Sequence, residues 1–302
     1  MDRGQWTVSK SFVMIGLWSV RWKVDEGCER SFRKDTQVMA KVSDFEGLED
    51  WLAARLGRDL DGGIQAVAED AHPEPLLAYR IGDRSMMRVM RELTSEIAPI
   101  VEGLSHEELF SVFGTYELGR VTLAHGVSVW GPTYYYFGNR DTFRASDDKR
   151  VRRLSSEEVT RVADKEVFWH CGWEEAVANF GVIEEDHLLA LTCVHAIGNP
   201  VYEIDVDVVP GTGQRGLGSA VMSAACRWIL ENDGLILART APWNVPSARL
   251  MRAMGLQYVL CDLEGRRSDF RVPPQPLGKP RPDAVIYDHY PAWAHNQEIV
   301  RR

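Results

Sequence analysis

The stretch Val201–Gly218, VYEIDVDVVPGTGQRGLG, decides the fold. In its first half Ile204, Val206 and Val208 alternate with Glu203, Asp205 and Asp207, the period of two expected of a strand with one apolar and one acidic face. Pro210 cannot donate a ladder hydrogen bond, so the strand is expected to end there. Glycines follow at 211, 213, 216 and 218, where backbone can turn sharply and approach a ligand closely. From Ser219 to Glu231 the residues Ala220, Val221, Ala224, Ala225, Trp228 and Ile229 recur at helical spacing, and Asn232-Asp-Gly234 stops that helix. A strand, a glycine turn and a helix N-terminus make an anion site, because free amides and the helix dipole converge on one place. The expected ligand is a phosphate group.

Working outward, residues 188–197 (LLALTCVHAI) read as a strand that turns at Gly198-Asn-Pro200 and pairs antiparallel with the acidic strand. Its His195 reads as a satisfied core residue. On the other side LILART is a strand, and Asn244 caps a helix over 245–254 with Pro246 in its first turn. Gly255 and Leu256 are its C-terminal signature, and Tyr258–Leu263 a last strand.

Taken literally, Gly211-x-Gly213-x-x-Gly216 is a dinucleotide fingerprint, but the acidic ribose partner is missing, since the next strand ends in Arg239-Thr240. A Walker loop is excluded because no Gly-Lys-Ser/Thr follows. Val208-x-Pro210, the core Gly216-Leu217-Gly218, then Asn244, Ser247 and Gly255-Leu256 together resemble the GCN5-related N-acetyltransferase (GNAT) family. The resemblance covers about residues 165 to 262. It implies an α+β fold of the GNAT α/β type, with a mixed, mostly antiparallel sheet flanked by helices. It also implies acetyl-CoA as co-substrate, with no metal. The pyrophosphate would lie on Gly213, Gln214, Arg215, Gly216, Leu217, Gly218 and Ser219, the pantetheine arm beside Val208 and Val209, with Asn244 and Ser247 completing the site. The amides near Val208 and Val209 would polarise the thioester carbonyl. Two positions depart from the family pattern. Gly213 stands where Gln or Arg is usual, and Met251 stands where many members carry the Tyr that protonates the leaving thiolate.

Acetyl transfer needs a neutral amine, and Glu203 sits where many family members carry the base; Asp205 and Asp207 share its strand face and are rivals. A solvated acidic face is the plainer alternative. The expected activity is N-acetylation of a small amine, a metabolite or antibiotic-like compound. Acylation of a protein N-terminus or lysine is the second reading, and a non-catalytic acyl-CoA-binding module the third.

The remainder of the chain is less specific. FEGLEDWLAARLGRDLDGG has helical spacing ending on Gly62-Gly63, and IQAVAED is a short strand. Residues 85–100 and the run opening at Ser105, with Glu108 as its capping-box partner, read as two helices. Residues 127–137 read as strand interrupted by Gly131-Pro132, and 138–153 as a polar linker before a helix capped by Ser155. The expected division is therefore 1–150, an α/β domain that is a degenerate GNAT-like copy and shapes the acceptor site; 151–262, the GNAT domain; and 263–302, a Pro-rich tail containing VPPQPLGKPRP.

Composition sets the outer bounds. The 302 residues, 45% hydrophobic and 26% charged, have the makeup of a soluble globular protein. A net charge of −9 argues against nucleic acid as a partner and favours a cationic one. SFVMIGLWSV near the N-terminus is followed at once by Arg21 and Lys23 and has no small-residue cleavage site, so it reads as a buried strand rather than a secretion signal, and it is too short for a membrane span. Five cysteines without a CxxC pair fit a reduced, cytoplasmic protein, and the adjacent His170-Cys171 is a poor nucleophile pair because sequence neighbours rarely have the mutual geometry. A homodimer is compatible with these features.

Overall fold

A computed structural model describes residues 40–56, 64–67, 74–210 and 216–267. Among the described residues ten strands form one sheet: β1 (Ile64–Val67), β2 (Leu76–Ile81), β3 (Arg84–Met90), β4 (Ser128–Gly138), β5 (Val151–Leu154), β6 (Ala178–Glu184), β7 (His187–Ala196), β8 (Val201–Val208), β9 (Leu235–Thr240) and β10 (Gln257–Arg266). Their spatial order is β1-β3-β2-β10-β4-β9-β8-β7-β6-β5. The pairs β1–β3 and β8–β9 are parallel and the others antiparallel, giving the mixed, mostly antiparallel sheet expected.

Helices cover both faces. On one side lie α2 (Thr94–Gly103), α4 (Val112–Thr122), α6 (Leu217–Glu231) and α7 (Val245–Ala253), packed on Ala78, Val129, Tyr136, Val194, Ile204, Ile236 and Cys261. On the other, α1 (Leu48–Leu56) sits on Tyr79, Tyr135, Phe137 and Leu237, while α5 (Ser156–Val162) and the segment around Phe168–Trp173 sit on Leu191 and Cys193. The even residues of β8 therefore face α6, and its odd, acidic residues face the gap between α1 and the 168–173 segment.

The capping signals hold. Ser105 accepts from Glu108 N–H at 3.3 Å while Glu108 accepts from Ser105 N–H at 3.0 Å, and Ser155 with Glu158 does the same. The helix opening at Ser105 stops at Leu109 as α3 (His106–Leu109), and Ser111 caps α4 separately.

Two sequence expectations are corrected. Residues 85–90 are strand, not helix. β3 lies between β1 and β2 and is covered on both faces, so Met86 packs with the α1 core and Met87 and Met90 with the α2 core. A strand apolar on both faces has no period of two, and its run of apolar residues then matches helical spacing by chance. The strand at 76–81 and β6 went unread for the same reason, both being largely buried. Gly131-Pro132 does not interrupt β4, which accommodates it with a register shift against β10 between Asp262 and Glu264.

No break in the sheet falls at residue 150. β4 is hydrogen-bonded between β10 and β9, and one core joins Tyr79 and Tyr135 to Val201, Leu235 and Val259. The expectations for residues 1–39, for Gly62-Gly63 and for the Pro-rich tail lie outside the described residues. Among those described, no helix is long and apolar enough to cross a membrane.

Candidate active site

The site is made by two strands that separate. β8 and β9 share the register pairs Val201–Leu235, Tyr202–Ile236 and Glu203–Leu237 only. Beyond Glu203, β9 stays with β4 while β8 stays with β7 as far as Val208. Val209 N–H donates to Leu189 O at 2.9 Å and Ile197 N–H to Val201 O at 3.2 Å, so the odd backbone groups of β8 face β7. On the other edge Leu235 N–H donates to Pro200 O at 2.8 Å. The alternation of an antiparallel ladder then turns the backbone groups of Ile204, Val206 and Val208 into the opening. An unpaired edge of this kind accepts an extended chain carrying amides. Of the two amides expected to meet a thioester, Val209 is engaged by Leu189, which leaves the Val208 side.

At the wide end of the opening stands the N-terminus of α6. Gly213, Gln214 and Arg215 lie outside the described residues. Gly216 has φ +96°, a left-handed conformation that a Cβ would strain, and among the described residues beyond its chain neighbours no atom lies within 4 Å of where that Cβ would be. The first helical bond is Ala220 N–H to Gly216 O at 2.9 Å, so the amides of Leu217, Gly218 and Ser219 have no helical acceptor. The Leu217 side chain is buried against Val182 and Ala190, and fixes the helix end against the sheet. A Cβ on Gly218 would lie 3.5 Å from both Val208 and Leu250, which brings the end of β8, the start of α6 and the face of α7 together.

Asn244 and Ser247 are found in a structural role: the Asn244 carbonyl caps α7 by accepting from Ser247 N–H at 3.3 Å. Met251 is buried in the core beneath α6, so the usual phenol position is filled by packing.

The acidic face of β8 is paired rather than merely solvated. Glu203, 9% exposed, is held bidentately by Arg239 of β9, with Nη2 donating to Oε2 at 2.9 Å and Nε to Oε1. Both oxygens of the carboxylate are thus committed to one guanidinium, an arrangement that holds Arg239 in place. Asp205 Oδ2 lies 3.3 Å from His195 Nε2, an ion-pair contact whose angle misses a regular hydrogen bond. Asp207 accepts from His170 N–H at 2.9 Å and lies 3.0 Å from its Nδ1, tying the 165–175 segment to β8. Cys171 turns away from that histidine, its Sγ 3.7 Å from Leu191 O, and its buried thiol beside Cys193 is pushed far up. His170 and Cys171 are not a catalytic pair.

Behind this face runs a buried polar chain. Arg239 Nη1 lies 3.5 Å from Tyr135 Oη, which donates to Asp262 Oδ2 at 2.5 Å. Burial pushes the Asp262 carboxyl up to about 6. Arg239 and His195 were the functional candidates hardest to see in the sequence. Their signal is the register that sets His195 opposite Glu203 and runs Glu203 beside Leu237, two residues before Arg239.

Residues 147–256 match the model of the Acetyltransferase (GNAT) family. That stretch is similar to the GNAT family. No curated protein matches the chain by sequence. Among solved structures, a putative GNAT-family acetyltransferase from Novosphingobium aromaticivorans is 14% identical with a TM-score of 0.39, over 46% of this chain and 66% of that one. A GCN5-related N-acetyltransferase from Kribbella flavida is 15% identical with a TM-score of 0.36, over 48% and 62%. Aminoglycoside N-acetyltransferase AAC(6')-Iy, in complex with CoA, is 17% identical with a TM-score of 0.30, over 36% and 88%. The chain thus spans a little under two thirds of the first two relatives. The matched stretch contains β8, α6, β9 and α7, the elements that form the opening.

Proposed function

We propose that the chain is an acetyl-CoA-dependent acyltransferase that acetylates the amine of a small acceptor. The observation that carries this reading is the parting of β8 from β9 after Glu203, with the α6 N-terminus at its end. The open edge at Ile204, Val206 and Val208 fits the amides of a pantetheine arm, and the free amides of Leu217, Gly218 and Ser219 fit a pyrophosphate. The bound thioester supplies the activated acetyl group. The chain's own part is to orient that thioester, polarise its carbonyl from the Val208 side and present a neutral amine.

The acceptor side is the acidic face. Glu174 and Glu175 line a cavity of 280 Å³ with Trp169, Gly172 and Trp173, and its size suits a small molecule; Asp207 is tied to His170, beside the lining residues Trp169 and Cys171. The wall already holds one ammonium: Lys165 Nζ lies 3.2 Å from Glu174 and 5.4 Å from the centre of the Trp173 ring. Carboxylates and an aromatic ring are the groups that recognise a protonated amine.

The test combines acetyl-CoA binding by calorimetry with thiol release over a panel of small amines and peptide N-termini. Turnover on a small amine supports the reading. Turnover on peptides alone transfers the acceptor to the protein class, and binding without turnover on any acceptor makes the chain an acyl-CoA-binding module. Gly216→Val, which forces a branched residue to φ +96°, should weaken binding at least tenfold. Unchanged affinity removes the α6 N-terminus as the pyrophosphate site.

A further inference from the structure

We propose that His195, oriented by Asp205, takes the proton from the acceptor ammonium, and that Glu203 is a positioning residue that holds Arg239. The proposal rests on the acyltransferase reading above and changes which side chain does its proton transfer.

Three observations carry it. First, Glu203 is committed on both oxygens to Arg239, whereas His195 is its direct cross-strand neighbour, on the same face, at the point where β8 and β9 part. Second, the two ring nitrogens of His195 are unequal. Nε2 is buried and, without a regular hydrogen bond, lies 3.3 Å from Asp205 Oδ2, while Nδ1 has neither a hydrogen-bond nor an ion-pair partner among the described residues and the side chain keeps 21% of its exposure. A carboxylate that close to one nitrogen favours the proton there and leaves the other lone pair to accept one. Third, the ring lies behind the wall of the candidate acceptor cavity: Gly172 lines it, and a Cβ there would sit 3.4 Å from His195 Cε1 and 3.9 Å from Nε2. The absence of a side chain at 172 leaves the imidazole room against that wall.

The charged groups that face the ring are Asp205 and Glu203 from β8, the latter neutralised by Arg239 of β9, and Glu175 from the 165–175 segment. Their sum, led by Asp205 and opposed by burial, raises the imidazole above its ordinary 6.5. A base in that range is matched to an acceptor that must be deprotonated near neutral pH.

The step balances as follows. One ammonium proton passes to Nδ1, and the freed nitrogen pair forms the C–N bond at the thioester carbonyl. The C–S bond then breaks with its electron pair on sulfur. The second proton lost from nitrogen neutralises the thiolate, and the imidazolium returns its proton to solvent. The net reaction is ammonium plus acetyl thioester giving amide, thiol and one proton.

The experiment is a pH profile of kcat/KM for wild type, His195→Gln, Asp205→Asn and Glu203→Gln, with acetyl-CoA affinity measured for each. Only neutral His195 is competent, so wild-type activity should rise with pH through the raised imidazole value. His195→Gln should lose that acid limb and roughly 10²–10⁴-fold in rate, with acetyl-CoA affinity within about threefold of wild type. Asp205→Asn should move the limb to lower pH, and Glu203→Gln, which leaves Arg239 unneutralised, should retain the limb and move it in the same direction. A limb that survives His195→Gln but vanishes in Glu203→Gln overturns the assignment. A second arm needs no turnover: imidazole NMR should show neutral His195 protonated on Nε2 and titrating lower in Asp205→Asn. A neutral ring protonated on Nδ1, or one indifferent to Asp205→Asn, also overturns it. Failure of wild type to bind acetyl-CoA sinks the functional reading instead, and leaves the NMR result standing by itself.

Discussion

β4 is joined to β10 by eight register pairs and to β9 by five, whereas β8 keeps three with β9. Both seams carry charge. At the closed seam Asp262 and Tyr135 are buried together behind Arg239, and the strands run paired over their length. At the open seam the acids of β8 meet Arg239, His195 and His170, and half the strand's backbone faces a gap. The difference is in what satisfies the backbone. A paired strand completes its own hydrogen bonds and can bury its polar side chains for structure, while an unpaired edge inside a sheet is a standing vacancy for a ligand's amides.

The comparison is broken most directly at the closed seam. Phe137 is fully buried, with ring centres 6.0 Å from Phe45 and 6.2 Å from Trp51. Phe137→Ala should cost about 3–5 kcal/mol in urea denaturation, and a loss under about 1 kcal/mol would show that β4 is not held as described.

A smaller effect separates the buried acid of the closed seam from the paired acids of the open one. Asp262 is raised to about 6 by burial, so the folded state holds its proton over a range where the unfolded chain has released it. Its contribution to stability is therefore greatest below about pH 4 and declines as pH rises towards 6, by up to about 1.4 kcal/mol per unit. The stability difference between wild type and Asp262→Asn should follow that window; a flat difference between pH 4 and 7 contradicts it.

The smallest effect lies at the open seam. At Gly218 a methyl would make ordinary 3.5 Å contacts with Val208 and Leu250, and helical Ala is preferred to Gly by about 0.5–1 kcal/mol. Gly218→Ala should raise Tm slightly. A fall in Tm would mean that the junction of β8, α6 and α7 is tighter than these distances indicate.

How much of this was readable beforehand depended on one-sided burial. β8 has an apolar and an acidic face, α6 has one apolar stripe, and α7 has a cap and a terminating glycine, so each announced its type and limits. β2, β3 and β6 are covered on both faces, and their patterns carry no phase. At the site the local chemistry was legible and the pairing was not. Three carboxylates on one strand face were visible as a set, but which one stays available was decided by Arg239, a residue on a neighbouring strand 36 positions away from Glu203. His195 read as core because its partner Asp205 is brought to it only by the β7–β8 register.

The position of β10 bears on how the molecule is made. It comes late in the chain, at 257–266, yet lies in the middle of the sheet with β2 and β4 on either side. During synthesis those two strands emerge more than a hundred residues before the element that must join them, and even with β3 and β9 made each still has one bare edge. Such edges template wrong pairings. A nascent chain halted just short of Gln257 should consequently be held by chaperones or aggregate, whereas release of ten more residues closes the sheet at its centre.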